Sequence, residues 1–137
     1  MSGDKTVEGM TVVRSMRTVA EVMERLQALM KARGIRVFAH LDFSADAAAE
    51  GIRLRPTQLL IAGAPKAGTP LIEAEPSVAI DLPLKVLAWS EDGRSTTVAY
   101  NDPEYLRRRH GFPAELGKNI SGLAALVAEA AGGGGSP

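Results

Sequence analysis

The sequence contains no cysteine, only two histidines and no surplus of charge of either sign. The absence of cysteine excludes disulfide scaffolds, cysteine-ligated zinc or iron–sulfur centres and thiol catalysis. His40 and His110 alone are too few for a histidine-rich metal site, so we expect no metal or cofactor. Sixteen basic and sixteen acidic residues cancel, whereas non-specific binding to nucleic acid or to an anionic membrane needs a positive surplus. We therefore expect no nucleic-acid or membrane partner.

Long apolar runs are missing as well. No stretch approaches the roughly 18 apolar residues of a membrane span, and the first residues lack the apolar run of a signal peptide. These absences predict a soluble, cytoplasmic protein. A chain of 137 residues is long enough for one core. We predict a single domain over residues 11–131, between a loose N-terminus at 1–10 and a flexible glycine-rich tail at 132–137.

The clearest element is an amphipathic helix that begins after Thr18 and ends at Gly34. The Thr18 hydroxyl caps the free N–H groups, and Glu21, three residues later, completes a capping box. Apolar residues between these ends recur at helical spacing and form one stripe. The following run, 35–42, alternates with period two and predicts a half-buried strand. One face of that strand is predicted to carry Ile35, Val37, Ala39 and Leu41, and the other Phe38, His40 and Asp42.

The remaining patterns predict shorter elements. Strands are expected at 11–16 and 57–62, followed later by a hairpin of strands at 84–89 and 95–100. Ser44 is expected to cap a short helix over 45–50, and Thr69 a helix that starts at Pro70. Two further helices are expected, one from Asp102-Pro103 to Gly111 and a closing one from Leu116 to Val127. This order indicates an α+β fold, a mainly antiparallel sheet covered on one face by helices.

Three segments together resemble a known family. They are LRPTQLLIAGAPKAGTPL from Leu54 to Leu71, IDLPLKVLAW from Ile80 to Trp89, and YNDPEYLRRRHG from Tyr100 to Gly111. They are similar to the domain of unknown function 302 family over about residues 10 to 131. The resemblance implies a fold like that of the TATA-box-binding-protein superfamily, β-α-β(4)-α in outline with short extra helices, often paired as a homodimer.

The chain departs from the family pattern at two places. Family members commonly have Asp-His where this chain has Asp42-Phe43, and Gly-Asn-Pro where it has Gly63-Ala64-Pro65. If the usual His or Asn does chemistry, this chain lacks that residue, and His40, two residues before Asp42 on the same strand face, is a candidate substitute. The resemblance implies no established activity, and the fold name does not license DNA binding.

The loop from Gly63 to Pro70 has the ingredients of an anion site. A strand leads into a glycine-bearing loop in which Lys66 adds a charge, Gly68 leaves N–H groups accessible and Thr69 adds a hydroxyl at a helix start. The lysine precedes the second glycine, so the nucleotide-binding P-loop motif is absent. The alternative is a tight structural turn in which the glycines only give backbone freedom.

Two other groups are candidates for binding or chemistry. His40 and Asp42 share a strand face and are candidates for an acid–base pair, or else surface residues with structural hydrogen bonds. Arg109 and His110 end a run of positive residues that either complements the C-terminal end of a helix or forms a wall for an anionic ligand. We predict a dimeric binding or interaction module with a small anionic ligand. The alternatives are a metal-independent enzyme that uses His40 and Asp42 with Lys66, and a pure oligomerisation module with no ligand.

Overall fold

The computed structural model describes residues 7–133. Most of the predicted loose N-terminus (1–10) and most of the predicted glycine-rich tail (132–137) therefore lie outside the described residues. The strands are β1 (Met10–Ser15), β2 (Arg36–Asp42), β3 (Thr57–Gly63), β4 (Leu84–Trp89) and β5 (Thr96–Asn101). The α-helices are α1 (Val19–Ala32), α2 (Phe43–Ala49), α3 (Pro65–Ala74), α4 (Pro103–His110) and α5 (Leu123–Ala131). Two 3-10 helices complete the set, a first at Pro76–Asp81 and a second at Ala114–Asn119.

The strands form one antiparallel sheet in the order β1-β5-β4-β3-β2. The α+β class is therefore confirmed, and the order of strands and α-helices along the chain agrees with the prediction. Opposed residues of an antiparallel pair project to the same face, so the register shows which side chains face the helices. Leu60, Val86 and Tyr100 lie opposite one another on this face and are buried together with residues of α1 and α5.

Helix α1 begins as the sequence predicts. The Thr18 hydroxyl accepts the Glu21 N–H at 3.1 Å, and the Glu21 carboxylate accepts the Thr18 N–H at 2.9 Å. Gly34 follows the helix with φ +71°, a conformation that glycine adopts without the strain of a side chain. Its buried stripe consists of Val19, Val22, Met23, Leu26 and Met30.

A second, smaller cluster joins α3, α4 and the first 3-10 helix to one another. Its buried members are Leu71 of α3, Val78 of the first 3-10 helix, Leu106 of α4, Phe112 and Ile120. Partly buried Leu84, the first residue of β4, packs against both this cluster and the main core. Helices α3 and α4 and the first 3-10 helix are therefore anchored at the end of the sheet where β4 begins.

The predicted faces of β2 are wrong after its first residues because the strand contains a bulge. The register shifts between Val37, which pairs with Ala62, and Ala39, which pairs with Ile61. A bulge adds one residue to a strand and so exchanges the faces on either side of it. Val37 packs against the main core, whereas Ala39 and Leu41 lie on the face away from the helices. His40 pairs with Leu60 and lies on the helix side.

Three helix boundaries differ from the prediction. Helix α2 is capped by Asp42, whose carboxylate accepts the Ala45 N–H at 2.9 Å, and not by Ser44. Helix α3 begins at Pro65, so Pro70 and the expected cap Thr69 lie inside it. The closing helix begins only at Leu123, because the residues before it form the second 3-10 helix. At α2 and α3 the sequence offers two candidate caps or two prolines, and the structure uses the earlier one in each case.

Candidate functional site

A cavity of about 390 Å³ lies where the end of β3 meets the helices. Its walls come from six regions: the end of α1, the bulged part of β2, the end of β3, the first turns of α3, the segment that leads into β4, and the segment that leads into α5. Most of the wall is aliphatic, aromatic or backbone. The residues are Met30, Arg33, Ile35, Phe38, Ala62, Gly63, Ala64, Pro65, Ala67, Gly68, Thr69, Ile72, Ala79, Leu82, Pro83, Leu84, Asn119, Ile120, Gly122, Leu123 and Leu126.

The β3–α3 junction forms one side of this cavity. Ala64 is the N-cap of α3 and supplies no side-chain hydrogen bond there. The Ala67 and Gly68 N–H groups turn back to the Ala64 carbonyl at 2.9 and 3.0 Å. Asn119 holds the junction from the other side, since its side-chain amide donates to the Ala67 carbonyl at 3.1 Å. The loop predicted as an anion site is therefore the first turn of a helix that contributes to a cavity wall.

Of the three residues predicted in that loop, Gly68 and Thr69 lie on the cavity wall and Lys66 does not. Lys66 is exposed on the first turn of α3. The charged side chain on the wall is Arg33, the C-cap residue of α1. Sequence reasoning missed Arg33 because nothing in the chain near it signals a site, and only folding brings it beside α3.

His40 and Asp42 have partners of their own at the opposite end of the sheet. The Nε2 of His40 lies 2.6 Å from the Gln58 side-chain oxygen, and its Nδ1 lies 3.4 Å from the Gln27 amide of α1. Asp42 accepts the Ala45 N–H and, at 2.7 Å, the Ser44 hydroxyl. The hydrogen bond from the Ala45 N–H, followed by that from Ser44, lowers the pKa of Asp42. Both residues therefore have structural roles, in sheet pairing and in capping α2.

The register separates these two residues from Lys66. Asp42 pairs with Gln58 near the start of β3, whereas Gly63 at its end pairs with Arg36. Five residues of extended chain cover about 17 Å, and Lys66 lies beyond Gly63. The alternative enzyme requires the three side chains to converge in one pocket, and this register does not bring them together.

Arg109 and His110 are both held by Asp81 at the end of the first 3-10 helix. The Arg109 guanidinium donates to the Asp81 carboxylate at 3.0 Å, and His110 Nε2 lies 2.5 Å from it. Because a carboxylate only accepts hydrogen bonds, we place a proton on Nε2 of the His110 ring, the nitrogen that faces Asp81. In the neutral ring the other nitrogen, 2.8 Å from the Ser77 hydroxyl, then accepts. These bonds tie α4 to the first 3-10 helix.

The Ser77–His110–Asp81 chain has the composition of a hydrolytic triad, and sequence reasoning missed it because Ser77 carries no motif. Ser77 is exposed and is not on the wall of the cavity. The contacts from Ser77 to His110 and from His110 to Asp81 connect α4 to the first 3-10 helix. Neither Arg109 nor His110 lines the cavity.

Comparison with known proteins agrees with this architecture. Among solved structures, that of an uncharacterized conserved protein DUF302 from Bacillus stearothermophilus is similar with a TM-score of 0.73 at 18% identity. The match covers 91% of this chain and 97% of that protein. The described residues therefore share the α+β fold of that protein. The model of the domain of unknown function DUF302 matches residues 11–130, so the chain belongs to the DUF302 family.

Curated relatives are longer than this chain. The fluoride-specific ion channel FluC 1 of Brucella suis biovar 1 (strain 1330) is 38% identical over 104 residues, which are 76% of this chain and 41% of that protein. The fluoride-specific ion channel FluC 2 of Brucella melitensis biotype 1 shows the same identity over 38% of its length. Within residues 7–133, no helix has the length and apolarity needed to cross a bilayer.

Proposed function

We propose that this chain is a binding module that holds a small organic ligand in the cavity between α1, α3 and α5. The cavity itself is the observation that carries the proposal. Its volume of about 390 Å³ is within the range of roughly 300–1,000 Å³ that small-molecule sites occupy. Residues from distant parts of the chain, such as Met30, Ala67 and Leu126, meet around it. Transfer of an apolar molecule from water into this cavity lowers the free energy.

The experiment is a titration with Nile red, a neutral dye that fluoresces strongly in apolar surroundings. We expect saturable fluorescence with the wild-type chain and its loss in Gly68→Leu, which fills the cavity. Gly68 lies inside α3, and a Cβ atom there meets the Leu82 side chain at an ordinary 3.7 Å. Glu73→Leu adds the same side chain to an exposed position of α3 outside the wall and is expected to keep binding. Equal binding by all three proteins contradicts the proposal.

We further propose that the module forms a homodimer through the face of the sheet that lies away from α1 and α5. On this face the register aligns one apolar residue from every strand in a single row. The two ends of the row, Val12 and Leu41, are 44% and 37% exposed. An apolar row that crosses a whole sheet favours self-association, because a two-fold axis pairs the same patch with itself. The row consists of Val12, Ala99, Leu87, Leu59 and Leu41.

Light scattering after size exclusion tests the dimer. We expect the wild-type chain to elute with twice the mass of one chain, and Leu87→Asp, in the centre of the row, to elute as a monomer. Ile80→Asp is the matched control, because Ile80 is 73% exposed in the first 3-10 helix and lies outside the sheet. A monomeric wild type at all concentrations, or a dimeric Leu87→Asp, contradicts the assignment.

The greater length of the curated relatives supports the proposal that this chain is a binding module. A protein named an ion channel has to cross a membrane, and a helical span needs about 20 apolar residues. The part that this chain matches is 38–41% of those relatives, and no helix of residues 7–133 has that character. We infer that the matched part is a domain attached to the spanning part and not the ion pathway. Sodium fluoride is therefore expected to leave the melting temperature of this chain unchanged relative to sodium chloride, and a fluoride-specific rise contradicts the inference.

A further inference from the structure

We propose that the ligand of the cavity is an amphipathic monocarboxylate, a molecule with a hydrocarbon body and one carboxylate. This assignment rests on the proposed binding function and specifies its ligand class. Two properties of the wall lead to it: the apolar character of most of its surface and the sign of its charge.

The apolar walls select the body of the ligand. Met30, Ile120 and Leu126 line the cavity, and all three are buried in the fold. The neutral polar side chains on the described wall are those of Thr69 and Asn119, and the Asn119 amide already donates to the Ala67 carbonyl. A sugar or a nucleotide base carries several polar groups, and burying them against these walls leaves them without partners at a free-energy cost. A hydrocarbon chain has no such groups and fits the surface.

The charge on the wall selects the head group. Arg33 is the one charged side chain among the described lining residues, and its side chain is 48% exposed, so it stands where the cavity meets solvent. Glu129 binds one guanidinium nitrogen of Arg33 at 3.2 Å. A guanidinium has five N–H donors in a planar fork, which leaves donors for a second carboxylate. The first turn of α3 on the same wall adds positive charge from the helix dipole.

The experiment is competition against bound Nile red by four probes, each below its micelle concentration. Decanoate has both body and charge, decanol has only the body, acetate has only the charge, and decyltrimethylammonium has the opposite charge. We expect decanoate to displace the dye at the lowest concentration, decanol at about fivefold more, and acetate not at all. Each added methylene in a series from hexanoate to decanoate should tighten binding about fourfold until the cavity is full.

Variants locate the head group. Arg33→Gln is expected to raise the decanoate concentration for displacement about fivefold and to leave decanol unchanged. Lys31→Gln removes one positive charge from the last turn of the same helix, off this wall, and is expected to change neither. Ala79→Phe narrows the cavity from an exposed position and should weaken both decanoate and decanol, independently of Gly68→Leu.

The possible results separate the proposed binding function from the proposed ligand class. Equal displacement by decanoate, decanol and decyltrimethylammonium, with all of it lost in Gly68→Leu, overturns the carboxylate assignment and leaves the binding function intact. A decanoate preference that survives Arg33→Gln overturns the role of Arg33 in the assignment. Two results overturn the binding function and the ligand class with it. One is the absence of dye fluorescence in the wild type, and the other is dye fluorescence that neither cavity-filling variant reduces.

Discussion

The two faces of the sheet carry similar side chains in different surroundings. Leu60 on the helix side is fully buried, whereas its chain neighbour Leu59, on the other side, is only half-buried. Val13 packs against the main core, while the adjacent Val12 is 44% exposed. Hydropathy alone does not distinguish the members of these pairs. The covered face therefore has its partner within the chain, and the open face is available to a partner outside it.

The largest expected effect comes from shortening the two neighbouring leucines. Leu60→Ala leaves a cavity under α1 and is expected to cost about 2–5 kcal/mol of unfolding free energy. Leu59→Ala removes the same atoms from the open face and should cost about 1 kcal/mol or less. Urea unfolding at low protein concentration, where association contributes least, measures both. Equal costs indicate that the open face is covered in the isolated chain, which contradicts the comparison.

A polar pair on β1 sharpens the same contrast. The buried Ser15 hydroxyl donates to the Ala131 carbonyl at the end of α5 at 2.7 Å. Ser15→Ala leaves that carbonyl without this donor and is expected to cost about 1–2 kcal/mol. The neighbouring Arg14 is exposed on the open face, so Arg14→Ala should change stability by no more than about 0.5 kcal/mol. A thermal unfolding series at two salt concentrations separates the packing effect from any effect of the lost charge.

The third prediction concerns how the covering helices start. Thr18→Ala removes the capping box of α1 and is expected to cost about 1 kcal/mol. Thr69→Ala replaces a residue inside α3, where alanine is the better helix former, and should be neutral or slightly stabilising. Calorimetric unfolding of the two variants compares Thr18, which caps α1 in the structure, with Thr69, which the sequence predicts as a cap but the structure places inside α3. A loss in Thr69→Ala as large as that in Thr18→Ala contradicts the position of α3.

The smallest effect is expected in the turn between β4 and β5, which belongs to neither face. The Asp92 carboxylate accepts the N–H groups of Ser95 at 3.0 Å and Arg94 at 2.8 Å. These bonds lower the pKa of Asp92 from 3.8 to about 2. Because the folded-state pKa is depressed, the stabilisation is complete above the unfolded pKa and is lost as the pH falls toward the folded one. The melting-temperature difference between wild type and Asp92→Asn should therefore shrink between pH 3.8 and 2, and a constant difference contradicts this.

Much of the fold was predictable because local signals and tertiary packing agree. Helix boundaries are one example. The capping box at Thr18 and Glu21 starts a helix, and the left-handed glycines at 34 and 111 follow helix ends, as their local sequence predicts. At the start of α2 the prediction failed because two local signals compete. Asp42 and Ser44 are both good caps, and the sheet pairing of Asp42 with Gln58 decides between them.

The candidate site was only partly predictable, for a related reason. Gly68 and Thr69 were identified because they follow a strand within a glycine-bearing loop. Arg33 was missed because its importance depends on being beside residues more than thirty positions away. The predicted Arg109 and His110 are held by Asp81, and that pairing is decided by packing between the short helices.

The order of residue types along the chain determined the α+β class, the order of the elements and the apolar stripe of α1, since these depend on periodicity and capping within a few residues. The tertiary structure decided which face of the sheet stays open, where β2 shifts its register, and which charge stands beside the cavity. These properties arise from contacts between distant segments. A periodic pattern defines the two faces of a strand but does not specify which other element packs on each face.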